Sequence, residues 1–87
     1  MIDRTNLIRS TLAEHGRVSA ATSLAEGQNL YDAGLTSHAS VNVMLALEEH
    51  FDVEFPDSLL TRSTFESISN LRSALDTLLE ADNSGRS

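Results

Sequence analysis

Apolar residues recur at helical spacing in three stretches of the chain, and nowhere do they alternate over a length that would make a strand. Leu7, Ile8 and Leu12 mark a first helix, with Asp3 or Thr5 able to cap its start and Gly16 to stop it. From Ser37 a second apolar face runs through Val41, Met44, Leu45, Leu47 and Phe51. Pro56 ends that pattern, because it restricts the residue before it and cannot continue a helix interior. Asp57-Ser58-Leu59-Leu60 has room for one short helical turn. Ser63 and Glu66 then stand at capping-box spacing, ahead of a third stripe of Ile68, Leu71, Leu75, Leu78 and Leu79. Three helices and a shorter one predict an all-α bundle. Its predicted core is Leu7, Ile8, Leu12, Val41, Leu45, Leu47, Phe51, Ile68, Leu71 and Leu75.

Residues 17 to 36 follow no sustained period. A structureless connection of that length normally counts against an assignment. Here Val18, Leu24, Leu30, Tyr31 and Leu35 are spaced through it as anchors, which predicts an ordered loop pinned across the core between the first two helices. Asp82 to Ser87 has nothing to bury and reads as a flexible tail, leaving one domain over residues 1–81. A chain of 87 residues lies near the lower size at which an unstapled core is stable, and 40% hydrophobic residues suffice to build one.

Charge changes the picture more than size does. The net charge is −7, and all six cations are arginines. No cation lies between Arg17 and Arg62, whereas Glu26, Asp32, Glu48, Glu49, Asp52, Glu54 and Asp57 all do. Nucleic acid is therefore disfavoured as a partner, since phosphate binding needs a cationic stripe. A basic protein surface is the natural complement of such a block; a merely solvated acidic face is the plain alternative. The longest apolar run, Val43 to Leu47, is too short to span a bilayer. The first residues show neither a basic leader nor a following apolar block, so a cytoplasmic address is expected. There is no cysteine, hence no disulfide and no protein-borne thiol. Any sulfur chemistry must reside in an attached group.

Candidate chemistry concentrates at Leu30-Tyr31-Asp32-Ala33-Gly34-Leu35-Thr36-Ser37, which runs straight into the second helix. Gly34 permits a turn that a side chain would resist. Ser37 falls at or near the helix N-cap, where free backbone N–H groups and the positive dipole end lie close. A phosphodiester built on its hydroxyl would sit where helix starts favour anions, although a plain capping serine is the commoner reason for such a residue. Ser37 and His38 also invite a nucleophile-and-base reading. Adjacent residues at a helix start point in different directions, however, and no third group accompanies them. His15, His38 and His50 are scattered and lack the spacing of metal ligands. The acids from Glu48 to Asp57 lack the glycine-centred order of a calcium loop.

Over nearly its whole length the sequence resembles the acyl carrier protein family. That family's signature is an Asp-x-Gly-x-Asp-Ser-Leu stretch, a Val-x-x-x-x-Ala-Leu-Glu-Glu helix and an Ile-Pro-like exit. Asp32, Gly34 and Leu35 match the first part, and Ser37 aligns with the serine that accepts the prosthetic group. Val41, Ala46, Leu47, Glu48, Glu49, Phe51, Asp52, Glu54 and Pro56 match the helix and its exit, and Thr64-Phe65 with Ile68 looks like the opening of the family's last helix. The resemblance implies a four-helix bundle and a non-catalytic, monomeric carrier. It also implies a 4'-phosphopantetheine arm on Ser37, installed by a phosphopantetheinyl transferase and holding cargo as a thioester.

The departures from the family pattern are as informative. Thr36 replaces the acid before the serine, His38 the leucine after it, and Ala39 and Asn42 two further acids. The first half of the helix that meets partners therefore lacks charge unless His38 is protonated, while Glu48 and Glu49 keep its second half acidic. This is unlike what the basic enzymes of fatty-acid synthesis meet. The stretches Tyr31 to Val41 and Phe55 to Ile68 are more similar to the aminoacyl carrier proteins, which are loaded by ATP-dependent amino acid:[carrier protein] ligases resembling truncated seryl-type tRNA synthetases. By that resemblance the partner surface comprises Leu35, Thr36, His38, Ala39, Val41, Asn42, Glu48 and Glu49. Two alternatives stand beside it: an acyl carrier for fatty-acid or polyketide synthesis, and an unmodified acidic helical adaptor for which the Ser37 hydroxyl is dispensable.

Overall fold

The computed structural model describes residues 3–18, 21 and 23–85, with side chains as far as Glu80. Its elements are α1 (Arg4–His15), α2 (Ser37–Phe51), a single turn of 3-10 helix (Asp57–Leu59) and α3 (Ile68–Gly85). Asp3 caps α1, its carboxylate accepting from the Asn6 amide at 2.9 Å. The last helix starts later than the capping-box spacing predicts. Ser63 to Phe65 are turns, and Ser67 is the cap, with its Oγ accepting from the Asn70 amide at 3.0 Å. Asn70 returns a bond from its side-chain amide to the Ser63 carbonyl at 2.8 Å. At the other end α3 runs on to Gly85 and takes in four residues expected in the tail, since no proline or earlier glycine stops it. Arg86 and Ser87 lie outside the described residues.

Helix α1 is the hub, packing against both α2 and α3. Ile8 and Leu12 meet Val43 and Leu47 of α2 and Ile68, Leu71 and Leu75 of α3 in one fully buried cluster. The predicted phase of α2 is corrected here. Ala39, Val43 and Leu47, spaced one turn apart, form its buried stripe, while Val41 is 50% exposed and Leu45 53% exposed. Leu7 and Phe51 are only partly covered. A helix apolar at so many consecutive positions offers two possible stripes, and the neighbouring helix decides which is buried.

One of those neighbours is Gly16. Its φ of −91° is ordinary, so conformational freedom does not explain it. A Cβ there would lie 2.9 Å from both the Leu12 carbonyl oxygen and Val43 Cγ2, and 3.1 Å from Leu35 Cδ1. The missing side chain lets α2 come close. Gly16→Ala is therefore expected to cost about 1–3 kcal/mol by overpacking, measured by urea denaturation. A loss within about 0.5 kcal/mol, the surface-mutation scatter, would show that the close approach relaxes freely.

The described residues of the long connection between α1 and α2 are pinned in the manner the anchors predict. Val18, Leu30 and Leu35 are buried, and Leu24 and Tyr31 pack against the core. Its backbone is tied down as well. Arg9 donates to the carbonyls of Ala21 (2.9 Å) and Leu24 (2.6 Å). The Leu30 amide donates to the Glu66 carbonyl at 2.6 Å, and the Ser69 amide to the Glu26 carbonyl at 2.9 Å, joining the loop to the start of α3. Phe55 and Phe65 stack with ring centroids 6.0 Å apart, fixing the segment after α2 against the turn before α3.

Candidate functional site: the start of the second helix

Two buried leucines set the position of Ser37. The amides of Ala33 and Leu35 both donate to the Leu30 carbonyl at 3.0 Å, so Leu30 to Leu35 close into a tight turn. Gly34 takes φ +117° in that turn, a conformation that side chains disfavour. Thr36 follows in extended geometry and caps α2: its Oγ1 accepts from the Ala39 amide at 3.0 Å, and its carbonyl from the Ser40 amide at 2.9 Å. Ser37 is thus the first helical residue and not the cap. It is exposed, and its hydroxyl is spared the capping bond that would otherwise occupy it. The first amides of a helix have no partners within it, so the hydroxyl stands where backbone dipoles favour negative charge.

Beside Ser37 lies a groove of about 360 Å³ between α2 and the segment before α3. Its inner surface is made by half-buried Tyr31 and Met44 and buried Phe65; exposed Val41 and Leu60 border it, and Ser40 lines it below Ser37. Arg62 completes the rim, its guanidinium carbon 3.9 Å from the centroid of the Tyr31 ring. Met44, most simply a core residue by helical phase, is therefore shared between core and groove. An exposed serine hydroxyl opening onto a partly apolar groove fits a phosphopantetheine arm, which pairs an anionic phosphodiester with an apolar and amide chain.

The predicted partner surface divides in two. Thr36, His38, Val41, Asn42 and Glu49 are exposed. Leu35 and Ala39 are buried, and so unavailable to a partner in this conformation. Glu48 is engaged at home, its carboxylate accepting from the Phe55 amide at 2.7 Å. That bond holds the chain as it leaves α2 through Asp52, which adopts the left-handed conformation at φ 53°. Leu45, Leu60 and the Arg62–Tyr31 pair are absent from the sequence-based site. The available signal was Arg62 itself, the residue that ends the cation-free stretch.

Among the described residues no three His, Cys, Asp or Glu side chains gather so as to hold a metal ion. No helix among them is long and apolar enough to cross a membrane.

Comparison with known proteins agrees with this geometry. A family model described as the phosphopantetheine attachment site matches residues 6–75. The chain is 43% identical over 74 residues to an aminoacyl carrier protein of Agrobacterium fabrum, covering 84% of this chain and 89% of that one. It is 34% identical over 74 residues to aminoacyl carrier protein 1 of Bradyrhizobium diazoefficiens, covering 85% and 79% respectively. It also superposes, with TM-score 0.79 and 42% identity, on a chain in the crystal structure of an engineered Bradyrhizobium japonicum glycine:[carrier protein] ligase complexed with a carrier protein from Agrobacterium tumefaciens and ATP. That match covers 84% of this chain and 96% of the other. The fold is accordingly of the acyl-carrier type, and the unmodified adaptor is set aside. The chain belongs to the phosphopantetheine-binding carrier proteins and, within them, to the aminoacyl carrier proteins.

Proposed function

We propose that Ser37 carries the arm, and that the loaded chain presents an amino acid delivered by an ATP-dependent amino acid:[carrier protein] ligase. The observation that carries this reading is the exposed Ser37 hydroxyl at the start of α2, freed from capping by Thr36 and opening onto the groove. The arm supplies the thiol that the chain lacks, so that the amino acid is held as a thioester. The chain's own residues fix the attachment point: Leu30 and Leu35 anchor the turn, Gly34 lets it close, and the helix start favours the phosphodiester charge. A phosphopantetheinyl transferase installs the arm, in the cytoplasm where coenzyme A and ATP are at hand. Incubation with coenzyme A and a broad-specificity transferase should add one phosphopantetheine mass, located on Ser37 by peptide mapping. Absence of any addition would overturn the assignment.

The ligase reading is supported by the carrier–ligase complex described above and by the exposed face of α2. Val41 and Leu45 offer apolar contact area there, while Thr36 and Asn42 offer uncharged groups in place of acids and His38 stands in place of a leucine. Electrostatic complementarity governs encounter rate and specificity more than bulk affinity. The double substitution Thr36→Asp with Asn42→Glu is expected to raise activity with fatty-acid enzymes and to leave ligase loading unchanged or weaker. Aspartate keeps the helix cap at position 36. Ala39 is left alone, because a carboxylate there would enter the core. Loading assays on holo protein, with ligase, ATP and amino acids against acyl-carrier synthetase and fatty acids, read the outcome. Efficient fatty acylation of the unaltered chain without aminoacylation would reverse the cargo assignment.

A further inference from the structure

Four of the arginines with described side chains have clear partners. Arg4 pairs with Asp76, Arg72 donates to Thr5 Oγ1 at 2.7 Å, and Arg9 holds two loop carbonyls. Arg62 is the fourth, and its partner is an aromatic face. Among the described residues no carboxylate lies within 4.0 Å of its guanidinium. A guanidinium seated over a ring face is held in place while its N–H donors remain available for a phosphate or carboxylate oxygen. Arg62 and Ser37 line the same groove, and Ser37 is the residue assigned above to bear a phosphodiester.

We propose that Arg62, seated on Tyr31, is the binding residue for the phosphodiester of the arm, and lays the arm's proximal end along the groove between α2 and the turn before α3. The inference rests on attachment at Ser37. An arginine meets a phosphodiester with charge-assisted, directional hydrogen bonds. The same cation repels the protonated amine of an aminoacyl cargo. Arg62 thereby distinguishes the two ends of a loaded arm, drawing the phosphate toward the groove and keeping the aminoacyl tip in solvent, where an acceptor enzyme finds it. A fatty acyl chain has no such charge and would not be sorted in this way.

The test uses holo protein whose single modification at Ser37 has first been verified by mass, compared with apo protein by NMR. In the wild type the Arg62 Nε–H resonance is expected to shift between apo and holo forms. The phosphorus resonance of the holo form is expected to shift in Arg62→Gln, with Arg62→Lys lying between, because lysine keeps the charge and loses the planar fork. High salt should move the wild-type phosphorus resonance toward the Arg62→Gln position, as screening of an exposed pair requires. Arg62→Gln should otherwise retain the wild-type amide spectrum, a control for folding. A phosphorus resonance unchanged in Arg62→Gln, with an Arg62 Nε–H signal equal in apo and holo forms, overturns the role of Arg62 and leaves the attachment site standing. Failure to form holo protein at Ser37 at all would instead overturn the attachment site.

Discussion

Ser37→Ala is expected to abolish phosphopantetheine addition completely while leaving the bundle folded. The two halves of that result have separate causes. Modification needs the hydroxyl, and among the described residues no other serine stands at the first position of a helix behind a cap of its own. Folding does not need it, because Thr36 makes the capping bond. The stability change should therefore stay within about 0.5 kcal/mol, as for exposed positions, with alanine's helix propensity acting in its favour. Thr36→Ala supplies the opposite dissociation, costing about 1 kcal/mol through the lost cap and keeping the acceptor hydroxyl. Mass spectrometry after incubation with coenzyme A and transferase, together with denaturation of each variant, reads both effects. The rival acceptor is Ser40, which lines the same groove but donates its hydroxyl to the Ser37 carbonyl at 2.7 Å. Modification of Ser40 or Ser58 in the Ser37→Ala protein would displace Ser37 from the site.

The second large effect concerns the core. Leu47→Ala is expected to cost roughly 2–5 kcal/mol, because the side chain is wholly buried within the core cluster where α2 packs on α1. Domains of this kind hold only about 5–15 kcal/mol in total, and a small one stands toward the lower end. A large fraction of the protein could thus unfold. Val41→Ala and Leu45→Ala, two chemically similar truncations on the same helix, should stay near the surface-mutation scatter of about 0.5 kcal/mol. Urea denaturation of the three variants tests the helical phase directly. Comparable losses at all three positions would mean that α2 is rotated from the orientation described here.

That contrast also shows which parts of the fold can be read in the sequence. The presence of three helices, the break at Pro56 and the anchoring of the long loop follow from local spacing, and local spacing suffices for them. The phase of α2 does not, because apolar residues at Val41, Val43, Met44, Leu45 and Leu47 satisfy two stripes equally. The choice is made by α1 and by the bare backbone of Gly16, which no pattern within α2 encodes. At the proposed site, the turn and the exposed position of Ser37 at the start of α2 are legible from Gly34 and from the run into a helix. The assignment of capping to Thr36 is not, since serine and threonine are both favoured at the cap and serine the more so. Burial of Leu35 just before them sets the register. The groove was invisible because Tyr31 and Arg62 meet only through tertiary structure. Glu48 reads as a surface acid until its bond to the Phe55 amide is seen.

The two backbone bonds that join the long loop to the start of α3 have a mechanical consequence. Leu30 to Glu66 and Glu26 to Ser69 stitch together the segments that bear Tyr31 and Arg62. One wall of the groove is therefore a single rigid body assembled from two distant parts of the chain, and pulling on either part moves both. An enzyme that levers the groove open must displace α2 or turn side chains over, because the far wall does not come apart at its seam. The Leu30 and Ser69 amides should accordingly be among the slowest of the loop and helix-start amides to exchange with solvent deuterium, and their protection should persist when a partner docks.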